Sequence, residues 1–319
     1  MYLHAEYITV GGFFMAKGTL LRNLLDEYLL EIKLKNYSPR TSVSVRNNNL
    51  LFFSYLESEF NVTTLEKLSH VHIKAYVKYK QSLGLSPTYI NSILKNMSMF
   101  FRYLQDEDYI ETNLAKKVRW QKEEKVIIKS FNDDEVSRML RVYNYTTYLQ
   151  ARNKCMVALL FDTGIRNLEL CSIKCEDIKS NAILIHGKGN KQRFVPITPG
   201  LAKIMLRYEQ KRKLYVKERY QDEYYFFSQK GKQLTTNTVE NVIRECGVIA
   251  NVRKDIRCSP HTCRHYYAQA QLKNGLDVYS VSRLLGHEDI SITKRYLQSI
   301  QDEDVLKMAV KTSPLMNIR

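Results

Sequence analysis

Between residues 18 and 112, apolar side chains return at helical spacing in four successive segments, and no other pattern restricts the fold so strongly. Leu21, Leu24, Leu25, Tyr28, Leu29 and Ile32 fall at i, i+3, i+4 and i+7, the stripe by which a helix buries one face. Asn36-Tyr-Ser-Pro39 interrupts the chain, and a second helix is expected through Val45, Phe52, Phe53 and Leu56. A third spans about Val71–Leu83. Ser86-Pro87 then supplies an N-cap and a first-turn proline to a fourth, whose face is Ile90, Ile93, Leu94, Met97, Phe101 and Leu104. Helices of this amphipathic kind bury their stripes against one another, so a compact helical unit follows.

A different pattern begins at Phe131. Asn132-Asp-Asp-Glu135 opens a helix with carboxylates in the first turn, where the helix dipole favours them. A longer helix through Ala151 to about Asp162 stops at Thr163-Gly164. Ala182–His186 and Arg193–Ile197 read as short strands around the turn-rich loop Gly187-Lys-Gly-Asn-Lys-Gln192. Helices are expected again over Leu201–Lys217, Thr236–Gly247, Pro260–Asn274, Asp277–Leu285 and Ser291–Leu297. The fold class is therefore mainly α with a small antiparallel β-sheet. At 319 residues the chain exceeds the ~250–300 at which single cores stop growing, which favours two domains. The expected divisions are a flexible extension (1–17), a helical domain (18–112), a basic linker (113–130), a second domain (131–310) and a tail (311–319).

The chain carries 49 Lys and Arg against 33 Asp and Glu, a formal net charge of +16. Such an excess favours a polyanion, because each phosphate neutralised releases condensed counterions. Lys116, Lys117, Arg119 and Lys122 in the linker, with Lys191 and Arg193 on the expected hairpin, are candidate phosphate contacts; a solvated charged surface is the competing reading. All six cysteines lie beyond residue 150, unlike a secreted disulfide framework, so a reduced cytosol is the expected compartment. Cys171-x-x-x-Cys175 lacks a second ligand pair, and no metal site is expected. No stretch approaches the ~20 apolar residues of a membrane span.

Four short segments of the second domain carry chemistry. They are Thr163-Gly-Ile-Arg-Asn-Leu-Glu169, Gly187-Lys-Gly189, His261-Thr-Cys-Arg-His265, and Leu284-Leu-Gly-His287 with Tyr296 nine residues later. Arg suits a phosphodiester under attack because its planar fork bonds phosphate in pairs and stays charged. A tyrosine hydroxyl can form a covalent intermediate. Taken one at a time, Arg166–Glu169 fits a surface ion pair, Lys188 a solvated turn and His261 a helix cap.

In this order, the four segments resemble the active-site boxes of the tyrosine recombinases, the phage-integrase family that includes the Xer recombinases. The likeness covers roughly residues 18 to 310. It implies a two-domain, C-shaped clamp on DNA, with an N-terminal four-helix core-binding (SAM-like) domain and a C-terminal catalytic domain. It implies Tyr296 as nucleophile, Arg166, Arg264 and His287 as stabilisers of the scissile phosphate, His261 as a further stabiliser that is a proton-transfer or hydrogen-bonding group, and Lys188 as general acid, with Lys191 as the alternative. Glu169 and His265 would support the cluster. The activity implied is site-specific recombination of double-stranded DNA at a core site, through a 3′-phosphotyrosyl intermediate and a Holliday junction, without metal, cofactor or ATP. The implied assembly is a tetramer on two duplexes, of one chain or with a second recombinase, in the bacterial cytoplasm at the nucleoid. With the helical domain starting near the N-terminus, Xer-type resolution or a small mobile element is expected. The rivals are a type IB topoisomerase-like nicking-resealing enzyme and a non-catalytic DNA-binding accessory protein.

Overall fold

The expected helical stripes appear as four packed helices: α1 (Leu21–Leu34), α2 (Pro39–Phe60), α3 (His70–Ser82) and α4 (Pro87–Asp106). The structure is a computed structural model that describes residues 7–10, 13–16, 18–123, 128–187, 189, 191–216, 223–298, 300, 302–311, 313 and 315. Two compact units divide between Lys125 and Val126.

In the first unit, Ser38 and Ser86 cap α2 and α4 by accepting from the backbone N–H groups of Thr41 and Tyr89, with a proline at the first helical position of each. These caps satisfy donors that a helix start otherwise leaves bare. Tyr28 stacks on Tyr103 at 4.9 Å, and Phe52 meets Tyr76 at 5.0 Å, so aromatic rings fill the space between the helices. Two features differ from the sequence reading. A hairpin of β1 (Tyr7–Val10) and β2 (Phe13–Ala16) lies within the stretch read as a flexible extension. The first part of the stretch read as a linker packs on the helices: Ala115 and Val118 are buried in their core, and Asn91 exchanges two hydrogen bonds with the Gln121 backbone. Two apolar side chains and a satisfied asparagine outweigh the local charge that marked the segment as solvated.

The second unit begins with α5 (Asp133–Val142). Asn132 caps it by accepting from Glu135 N–H, while Glu135 accepts from Asn132 N–H. The long α6 (Tyr148–Thr163) is buried on nearly every side and forms the centre of the core. Short α7 (Asn167–Ser172) follows, then β3 (Ala182–His186) antiparallel to β4 (Gln192–Pro196), with Ile183 opposite Val195 and Ile185 opposite Arg193. Helices α8 (Pro199–Val216), α9 (Thr236–Ile249) and α10 (Pro260–Lys273) surround α6. Then come α11 (Val278–Leu285), α12 (Ile290–Leu297) and α13 (Asp302–Lys311). A satellite core of Tyr267, Ala268, Leu272, Val281, Leu285 and Tyr296 joins α10, α11 and α12. Among the described residues, no helix is long and apolar enough to cross a membrane.

Candidate active site

Two left-handed glycines set the scaffold. Gly164 (φ 61°) ends α6, and Gly286 (φ 66°) ends α11. A Cβ on Gly164 would lie 2.4 Å from Tyr267 Cδ1, so that turn needs glycine for both its dihedral and its closeness to α10. The C-terminus of a helix leaves carbonyls without intrahelical partners and carries the negative end of its dipole. At α11 three guanidiniums take up consecutive carbonyls. Arg193 Nε donates to Leu284 O (2.7 Å), Arg264 Nη2 to Leu285 O (2.8 Å) and Arg166 Nη2 to Gly286 O (3.0 Å). Arg264 Nη1 also donates to Gly164 O (2.8 Å), tying the two turns together. The Leu-Leu-Gly box thus acts as a cradle for cations.

Glu169 closes this network from within. It is buried on α7 and receives Arg193 bidentately (2.9 and 2.7 Å), Arg166 Nη1 (2.9 Å) and Arg166 N–H (2.8 Å). Burial alone would raise its pKa, but the Arg193 hydrogen bonds and charge, followed by those of Arg166, hold it at about 2. Three guanidiniums against this one carboxylate leave an excess of two positive charges in the cluster. Arg264 is buried as well. Burial first, then repulsion from Arg166, pushes its pKa down to about 10, so it remains a cation in need of an anion.

The imidazoles and the phenol come together beside the cluster. His261 and His265 lie one turn apart on α10 with ring centroids 4.0 Å apart. His265 Nδ1 is 2.9 Å from Tyr296 Oη. His287, just past Gly286, bonds Thr293 Oγ1 through Nδ1 (2.7 Å), and its ring lies nearly parallel to that of Tyr296 at 6.5 Å. Burial and then the neighbouring cations lower the pKa values of His265 and His287 to about 4, so both are neutral at pH 7. Tyr296 is only 3% exposed. Burial raises its pKa, and Arg264, Arg295 and Arg166 pull it partly back.

Of the residues singled out from sequence, Arg166, Glu169, His261, Arg264, His265, His287 and Tyr296 thus meet in one place. Lys188 lies outside the described residues. Lys191 is exposed and pairs with Glu288 at 2.7 Å. Lys116, Lys117, Arg119 and Lys122 are exposed on the first unit. Arg193 is a correction: its side chain is 12% exposed and engaged by Glu169 and Leu284, which takes it out of the set of surface phosphate contacts. Strand alternation could have found this, because the period that buries Val195 puts Arg193 on the same face. The Thr293 partner of His287 and the carbonyls of Leu284 and Leu285 carry no sequence signal, since they are brought in by tertiary packing.

A model of the phage integrase family matches residues 129–303. The chain is 30% identical over 284 residues to the tyrosine recombinase XerC of Anoxybacillus flavithermus, across 88% of this chain and 93% of that protein. Among solved structures it is similar to the XerH site-specific recombinase bound to its palindromic difH substrate in a post-cleavage complex. There the TM-score is 0.71 at 20% identity, over 90% of this chain and 83% of that one. A lambda integrase tetramer bound to a Holliday junction gives a TM-score of 0.67 at 17% identity, over 88% and 78% of the two chains. At these identities the structural likeness speaks for the fold.

Proposed function

The chain belongs to the phage integrase family, and from that premise we propose that it is a site-specific tyrosine recombinase, which cuts and rejoins double-stranded DNA through a 3′-phosphotyrosyl intermediate and a Holliday junction. The observation that carries this reading is the convergence of Arg166 and Arg264 on the two glycine turns beside His261, His287 and Tyr296.

In this reading Tyr296 Oη attacks the scissile phosphorus in line, the P–O5′ bond breaks, and the 3′ phosphate is left on the enzyme. The excess positive charge around Arg264 is prepaid, so the negative charge that develops on the non-bridging oxygens meets donors already in place. His261 and His287, neutral and held by the fold, act by hydrogen bonding. Lys188 protonates the leaving 5′ oxygen, and Lys191 is the alternative donor. A 5′ hydroxyl from a partner duplex then attacks the phosphotyrosine and releases Tyr296. The phosphotyrosyl bond conserves the backbone energy, so the cycle consumes no ATP. The working form is a tetramer on two duplexes, of one chain or of two related chains. Its compartment is the bacterial cytoplasm at the nucleoid, in keeping with six free thiols.

Sequencing the DNA trapped on the protein by a substrate that cannot religate tests the reading. A single recurrent core site is the expected result. Adducts scattered along DNA, with relaxation of plasmid lacking any recurrent site, would favour a nicking-resealing enzyme. Lys188→Ala should slow cleavage of ordinary DNA and be restored by a bridging sulfur at the 5′ position, a leaving group that needs no proton. Equal slowing on both substrates would shift the role of general acid to Lys191.

A further inference from the structure

We propose that His265 is a catalytic residue, the base whose Nδ1 takes the proton of Tyr296 as the phenol oxygen attacks phosphorus. The inference rests on the reading of Tyr296 as nucleophile and deepens it. A phenol that attacks must lose its proton, and water is a poor candidate to receive it here, because Tyr296 is 3% exposed. The acceptor must then be a protein group touching Oη. His265 Nδ1 touches it at 2.9 Å, with ring centroids 5.4 Å apart. Arg166, Arg264 and His287 are poorly suited. Arg166 and Arg264 have no acceptor atom. His287 Nδ1 is occupied by Thr293, and its ring lies parallel to the phenol ring at 6.5 Å.

The surroundings suit an acceptor. Tyr296 on α12 touches the imidazole, and burial, followed by His261 and Arg264 on its own helix, Arg295 on α12 and His287 before α12, keeps it neutral. In the unliganded protein this makes His265 a weak base, at about 4. A phosphodiester entering beside Arg264 and Arg166 brings negative charge, offsets those cations and raises the basicity of the ring toward the range in which general bases work best. The balance closes. The proton moves from Oη to Nδ1, the Oη–P bond forms, the P–O5′ bond breaks, and O5′ takes its proton from the general acid. On resealing, the imidazolium returns the same proton to the departing phenolate.

His265→Asn offers an amide oxygen that can hold the phenol but cannot take its proton. Single-turnover cleavage of a suicide substrate should fall by about 100-fold, within the range typical of a lost general base, with DNA affinity and melting temperature kept. Fluorinated tyrosine at position 296, which ionises more readily, should recover at least about tenfold of that loss. Cleavage by the Asn variant within about threefold of wild type, or equal slowness with both phenols, would overturn the role. The intact protein gives a second measurement that needs no variant. On a substrate with a bridging 5′ sulfur, cleavage should still run about twofold slower in D₂O, since the phenol proton is then the one in flight; no isotope effect would contradict the proposal. A wild-type protein that forms no DNA adduct at all would sink the recombinase reading itself. An adduct formed equally fast without His265 sinks only this inference.

Discussion

Glu169 lies buried between Arg193 and Arg166, and its ionisation ties the stability of the site to pH. Its pKa falls from the ordinary 4.5 to about 2, so the stabilisation is complete above about pH 4.5 and is lost as pH falls toward 2. The amount is about 3 kcal/mol. His265 and His287 act in a higher window. Each binds its proton at about 4 in the folded chain against 6.5 ordinarily, so stability also declines as pH falls from 6.5 to 4. Melting temperature followed against pH should show both declines, and Glu169→Gln should flatten the lower one. Arg193→Ala leaves a buried carboxylate short of its main partner and should cost about 3–5 kcal/mol in denaturant unfolding. Lys122→Ala, at an exposed position, should cost almost nothing. The grouping of Arg166, Glu169, His261, Arg264, His265, His287 and Tyr296 was legible in the sequence because it follows from residue type and order. The job of Arg193 was not, because a charged residue in a short strand reads equally as a surface contact until its face is known.

The helices and their caps were the legible elements. Apolar stripes and the signals Ser38-Pro39, Ser86-Pro87 and Asn132–Glu135 are local, and the structure has α2, α4 and α5 starting at them. Elements held by distant partners were less legible. The segment from Asn113 to Gln121 looks solvated by composition, yet it is fixed by Ser98 and Asn91 on α4. Turns carry the functional geometry at this scale. Gly84 (φ 71°) has nothing within 4 Å of an added Cβ, so Gly84→Ala should cost only the left-handed strain, about 1 kcal/mol. Gly164→Ala adds a clash with Tyr267 and should cost several times more in thermal unfolding. A Cβ on Gly286 would meet Arg193 Nη1 at 3.0 Å, so Gly286→Ala should disturb the cation cluster and reduce DNA cleavage more than DNA binding. Equal losses from all three substitutions would refute this ranking.

At the scale of the whole molecule, the proposed function is that of a DNA strand-transferase working as an assembly. Helix α13 is tethered to α10 by the Lys273–Asp304 pair at 3.5 Å, while Val305, Leu306 and Val310 stay exposed. A short helix with an uncovered apolar face gains little from staying alone. Truncation after Ile300 should therefore leave binding to a single site unchanged, weaken cooperative binding at paired sites and stop recombination. Unaltered recombination by the truncated protein would refute a role for α13 in assembly. The proposed function rests on the nucleophile, and Tyr296→Phe tests it most directly, since it removes one oxygen from a residue whose ring is already packed in the satellite core. On a suicide substrate carrying the core site, the wild-type chain should become covalently joined to DNA. The Phe variant should bind with nearly the same affinity and form no adduct; a protease-sensitive adduct from that variant would contradict the account.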